Sequence, residues 1–187
     1  MPNPIATVNE LTDLNTWSRL LGSAYGEFDL LPGLTARSLL GGNVELYKIN
    51  FFAPRTILAG GSGGNAFIYT KDTRDLTSEN TLNYRRSSLG PGSFNLTGGF
   101  SVQRFRYEEL QGAGSNFPTD ATTFFSLGSG SQLTPPFSGI TEAALVSYLG
   151  RAEYFIADRY IVTLNGRYDG SSRFGANNKW AFFPSGA

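Results

Sequence analysis

The sequence predicts an all-β chain, an antiparallel up-and-down meander of about six to seven strands forming part of an incomplete transmembrane β-barrel. Three observations carry that reading. Apolar and polar residues alternate over stretches of about 13–15 residues, against a mode of about 5–6 for strands in soluble proteins. Connections between the stretches alternate short and long, as in bacterial outer-membrane barrels. Charged residues inside the clearest strands (Arg19, Glu27, Asp29, Arg37, Glu45, Arg151, Glu153, Arg167 and Asp169) all fall on the polar side. Successive side chains of a strand point to opposite faces, so each strand gains one apolar and one polar face. An Arg or Lys facing lipid at mid-bilayer costs about 2–4 kcal/mol, which explains the segregation.

In chain order, residues 1–15 read as a loop entering a strand. From Trp17 to Leu30, Leu20, Gly22, Ala24, Gly26, Phe28 and Leu30 share one face, opposite Arg19, Ser23, Tyr25, Glu27 and Asp29. Pro32-Gly33 makes a tight turn, because Pro presets the first central position and Gly supplies positive φ at the second. The next strand runs from Leu34 to about Lys48, with Ala36, Ser38, Leu40, Val44 and Leu46 on the apolar side. A long connection, Ile49 to about Asn65, ends in Gly60-Gly-Ser-Gly-Gly64. The third strand, roughly Ala66 to Arg85, is the least clear: Lys71-Asp-Thr-Arg-Asp75 is polar throughout, and only Leu82 and Tyr84 mark a common apolar face. After a turn at Ser87–Gly92, Phe94, Leu96, Gly98, Phe100 and Val102 mark the fourth. A second long connection, about Glu108 to Thr141, precedes two strands joined at Ala157-Asp158-Arg159. A third loop, Gly170 to Lys179, leads into the start of a seventh strand.

Aromatic residues gather near strand ends (Trp17, Phe51, Phe52, Tyr107, Phe174, Trp180, Phe182 and Phe183) and are expected to form girdles at headgroup level. A soluble sandwich or lipocalin-like binding module also alternates, and is the competing class. It would turn its apolar faces inward, whereas the Gly and Ala among these faces make thin core filler and suit lipid.

Composition narrows the chemistry. Formal net charge is zero, with 15 basic and 15 acidic residues, which argues against a nucleic-acid partner. The absence of Cys and His excludes disulfides, thiol nucleophiles, thiolate zinc sites and imidazole acid–base catalysis. Charged residues make up 16%, low for a soluble domain. Met1-Pro-Asn-Pro-Ile-Ala6 has neither the basic nor the apolar part of a leader, and no apolar run approaches the roughly 20 residues of a membrane helix.

No catalytic, metal or cofactor site emerges, so the chain is read as a non-enzyme. Gly60–Gly64 lacks the Lys-Ser/Thr of a phosphate loop and reads as a flexible connection. Glu108-Glu109 is a solvated loop edge. Asp169–Gly175 has one carboxylate where a calcium loop uses several. There Asp169-Gly170 bends the chain at the strand's outer end, and Arg173 is expected to pair with Asp169. Asn95-Leu-Thr97 lies on a strand and is set aside as a glycosylation acceptor. Arg151, Arg167, Glu27 and Glu153 are expected to line a hydrated lumen, with a plug domain or a passing ligand as the sharper alternative.

Tyr148-Leu-Gly-Arg151, Asp158-Arg-Tyr160, Asp169-Gly-Ser-Ser-Arg-Phe-Gly175, Asn177-Asn-Lys-Trp180 and Phe183-Pro-Ser185 resemble the SusC/RagA-type TonB-linked outer-membrane transporters. Asn3-Pro4, Arg19–Tyr25 and Glu79–Tyr84 extend the resemblance more weakly. It implies a location in the cell outer membrane, a role as wall segment of a TonB-dependent importer of glycans or peptides, and no cofactor. The partners it implies are outer-membrane lipids, the TonB energy complex and a SusD-like surface lipoprotein. The resemblance further implies that residues 1–187 are a partial TonB-dependent-receptor β-barrel without plug domain, TonB-contacting segment or closing strand. Such a fragment is expected not to function alone, since an open membrane sheet leaves unpaired backbone groups in hydrocarbon.

Overall fold

The computed structural model describes residues 4–89, 92–157 and 159–187. Asn3, the Gly90-Pro91 centre of the expected second turn, and Asp158 lie outside the described residues. A short helix, α1 (Pro4–Glu10), replaces the expected opening loop. Seven strands follow: β1 (Thr12–Leu31), β2 (Leu34–Ala53), β3 (Asn65–Leu89), β4 (Gly92–Ser115), β5 (Gln132–Ile156), β6 (Tyr160–Ser171) and β7 (Trp180–Gly186). They form one sheet in the order β1-β2-β3-β4-β5-β6-β7, the meander that the sequence predicts.

The first five strands are 20 to 25 residues long, well beyond the alternating stretches. The long connections shrink accordingly, to 54–64 and 116–131. The added lengths, such as Glu108–Ser115 on β4 and Gln132–Thr141 on β5, lack a sustained alternation and so do not read as strand. β5 even contains Pro135 and Pro136. They are tolerated because β6 pairs with β5 only from Leu145 onward, which leaves the start of β5 with β4 as its one sheet neighbour.

The turn at Pro32-Gly33 forms as expected. Gly33 has φ of +80°, and its carbonyl accepts a hydrogen bond from the Arg85 amide at 2.7 Å. A Cβ there would lie 2.3 Å from the Arg85 carbonyl oxygen. The left-handed conformation alone costs a residue with a side chain about 1–2 kcal/mol. Gly33→Ala is therefore expected to lower the midpoint of a guanidinium unfolding titration.

Contacts divide the chain into two units, each described by itself. The first comprises Leu20 and the described residues before it, Val44–Thr73 and Arg106–Thr141. It holds a small apolar core of Phe52, Ala66, Phe117 and Phe124, with Ile68 and Leu127 packed against it. This core packs the second connection against the ends of β2 and β3 that flank the first. Arg55 completes the joint, bonding the Phe117 carbonyl at 2.8 Å and pairing with Asp120 at 3.2 Å. The glycine run 60–64 is packed here too, rather than a free linker. Gly63 accepts the Phe117 amide at 2.7 Å, and a Cβ on Gly63 would meet Asn116 Oδ1 at 2.2 Å.

The second unit comprises Leu21–Asn43, the described residues of Arg74–Phe105, and those of Glu142–Ala187. Its large apolar side chains are exposed instead of meeting in a centre: Phe28 63%, Leu40 63%, Val162 47% and Leu164 61%. A soluble sandwich would bury these residues against a facing sheet, so that alternative does not describe the chain.

Candidate functional site

One parity rule organises the sheet. Odd-numbered side chains meet one another across neighbouring strands. Arg19 pairs with Glu45 at 3.2 Å, the Tyr47 hydroxyl donates to Asn15 at 2.9 Å, and Asn43 donates to Asp75 at 3.4 Å. Asn83 donates to both Asn95 and Thr97 at 2.8 Å, and Asn95 donates to Glu153 at 2.9 Å. Paired positions on β5–β6 and β6–β7 share parity as well, for example Tyr148 with Tyr168 and Tyr168 with Phe182. The odd face is thus a hydrogen-bonded polar wall. Leu20, Phe28, Leu40, Leu82, Leu96, Tyr148 and Leu164 stand on the even face.

The residues expected to line a lumen do lie on the odd face. Arg151 bonds Glu153 at 2.5 Å; Arg167 bonds Asp169 at 2.7 Å and reaches the buried Ser147 hydroxyl at 3.2 Å. Glu27 is exposed on the same side. Asp169 is therefore paired within its own strand, and Arg173 instead lies over the Phe105 ring, 5.8 Å from its centroid. Gly170 is an interior residue of β6, not a bend, and pairs with both Val146 and Trp180. Its missing side chain leaves room for the Trp180 indole, whose atoms lie 2.7 Å from where a Cβ would stand. Trp180 stacks on Tyr168 at 4.8 Å and on Tyr148 at 6.2 Å, an aromatic belt on the even face.

The expected girdle divides on inspection. Trp180 and Phe182 belong to the even face. Phe52 is buried between the long connections, and Phe174 sits in the loop 172–179. Trp17, Phe51, Tyr107 and Phe183 are odd-numbered: Phe51 stacks on Phe67 at 4.9 Å, and Tyr107 joins the polar wall. Position near a strand end does not determine the face; parity does.

The first unit concentrates the chemistry of the odd face. Trp17, Glu45, Tyr47, Lys71 and Thr73 line a cleft of about 330 Å³. Beside it, the hydroxyls of Tyr69 and Tyr107 both donate to Glu109, at 2.9 and 2.7 Å. Lys71 lies 5.3 Å from the centroid of the Tyr107 ring. Glu108-Glu109, expected at a loop edge, belongs to β4, where the two side chains point to opposite faces and Glu108 pairs with Arg106. Trp17 and Tyr107 lie near strand ends, which suggests girdles, but their odd numbers place them on the face of Arg19 and Glu45.

On the even face the units differ. In the first, Lys48, Asp72 and Glu108 accompany Leu46, Leu110 and Ile140 around a groove of about 880 Å³. In the second the even face is mainly apolar; Ser38, which donates to Asn80 at 2.7 Å, and the even-numbered Arg74, Arg86, Arg104 and Glu142 are polar exceptions.

No family model matches the chain. It is 37% identical over 186 residues to "TonB-dependent receptor P3" of Formosa agariphila, covering 99% of this chain and 18% of that protein. It is 30% identical over 191 residues to "TonB-dependent receptor SusC" of Bacteroides thetaiotaomicron, covering 98% of this chain and again 18% of the relative. The chain thus spans about a fifth of the length of these relatives. Among solved structures, the RagAB peptide transporter superposes with a TM-score of 0.88 at 18% identity, over 96% of this chain and 20% of that one. At that identity the superposition speaks for the fold: a meander of barrel wall.

Proposed function

We propose, from the premise that this chain is a stretch of SusC/RagA-type barrel wall, that it serves in a TonB-dependent importer of the outer membrane, with its even face against lipid and its odd face lining the lumen. The observation that carries this is the parity rule: exposed Leu, Phe and Val on one side of the second unit, hydrogen-bonded polar ladders on the other. Water is absent from the hydrocarbon layer, so the exposed apolar face is at rest only against acyl chains, and the charged face only where it is hydrated. The role is transport, not catalysis. The cargo is a glycan or peptide, and the partners are outer-membrane lipids, the TonB energy complex and a SusD-like surface lipoprotein.

The test uses single cysteines in the receptor carrying this chain, in outer-membrane preparations. Asn165→Cys is expected to react with a membrane-impermeant maleimide added with access to the lumen, and Leu164→Cys to react only with a lipid-soluble one. Equal labelling of both positions by the impermeant reagent would overturn the orientation.

A further inference from the structure

We propose that the cleft of Trp17, Glu45, Tyr47, Lys71 and Thr73 binds an acidic sugar residue, a uronate or sulfated pyranose, as it passes along the wall. The proposal rests on the reading of the odd face as lumenal and specifies what that face recognises. Charge bookkeeping within the cleft singles out one cation. Glu45 is already matched by Arg19 at 3.2 Å. Glu109, the neighbouring carboxylate, is capped by the hydroxyls of Tyr69 and Tyr107. The Lys71 ammonium faces the Tyr107 ring, and among the described residues it makes no ion pair. An anionic group arriving in the cleft therefore meets a cation that no carboxylate has neutralised, and a charge-assisted hydrogen bond is the stronger kind.

The rest of the cleft selects a ring carrying hydroxyls. The Trp17 indole is 64% exposed and offers a flat apolar surface for the C–H face of a pyranose. The Thr73 hydroxyl and the Glu45 carboxylate stand around that surface as hydrogen-bonding groups for sugar hydroxyls. The volume, about 330 Å³, is at the small end for ligand sites and suits one sugar residue of a longer chain. An acidic peptide would also bring a carboxylate to Lys71. Its side chain carries no further hydroxyls, so Thr73 and Glu45 would lose water without gaining partners, which disfavours it.

The experiment is calorimetric titration of the detergent-purified receptor carrying this chain with three probes: tetragalacturonate, neutral cellotetraose and tetraglutamate. The expected result is binding of tetragalacturonate in preference to the other two. Lys71→Gln should weaken it about tenfold and reduce its salt dependence, with Lys71→Arg restoring both. Trp17→Ala should weaken tetragalacturonate and any residual cellotetraose binding alike. Heat-modifiable mobility on gels verifies that each variant is folded. Preference for tetraglutamate, no binding of tetragalacturonate, or equal affinity in the folded wild type and both loss variants would overturn the proposal. Failure here with the cysteine-labelling pattern intact rejects the ligand class alone; failure of the labelling pattern rejects the orientation beneath it.

Discussion

Replacing Leu164 by Arg is expected to abolish stable insertion, while Asn165→Arg, one residue on, leaves it nearly intact. Leu164 is 61% exposed on β6, and its paired neighbours Ala152 and Gly186 offer no acceptor side chain for a guanidinium. An Arg at mid-bilayer costs about 2–4 kcal/mol, a large share of a typical net stability of about 5–15 kcal/mol. Asn165 belongs to the hydrated ladder and donates to Ser185 at 3.2 Å, a bond whose loss costs about 0.5–1.5 kcal/mol. Heat-modifiable mobility of the membrane fraction separates the two outcomes. Equal tolerance of both substitutions would contradict the lipid assignment of the even face.

The second large effect is expected at Phe117→Ala. Phe117 is 3% exposed and packs against Phe52, ring centroids 6.2 Å apart. Removing a buried Phe side chain typically costs about 3–5 kcal/mol. Its backbone also receives Arg55 and donates to Gly63, so the collapse would loosen both connections together. The two long loops of the first unit are held by a core of only a few residues, which leaves little to compensate. Limited trypsin digestion should then cut after Arg55 much faster than in the wild type, with barrel mobility on gels preserved. Unchanged cleavage would show that the Phe cluster does not hold the loops.

These effects depend on features that differ in how far the sequence reveals them. The faces were legible, because the nine charges from Arg19 to Asp169 and the apolar residues from Leu20 to Tyr168 alternate without slipping. The Pro32-Gly33 turn was legible from its chemistry. The ends of the strands were not. Pro135-Pro136 disguises the start of β5, so pattern alone begins that strand late, and Lys71–Asp75, polar on both sides, blurs the faces of β3. Helix α1 is 7 residues long and buries no residue, leaving no amphipathic signature to detect. The loop core was hidden because Phe52 and Phe117 are 65 positions apart in the chain. The cleft at Trp17 is legible by parity, since Trp17 shares the face of Arg19 and Glu45.

Odd-numbered positions face odd-numbered ones from the Asn15–Tyr47 pair of β1 and β2 to the register of β6 and β7, which gives the chain an arithmetic of insertions and deletions. One codon gained within β3 would carry every downstream side chain of that strand to the wrong side until the next connection, whereas two would merely shift its register. Residues 54–64 and 116–131 lie outside the strands, so a length change there does not invert a face, although it must still respect the packing of Phe117 and Gly63. Within the paired strands, length changes are thus held to multiples of two if the faces are to be kept.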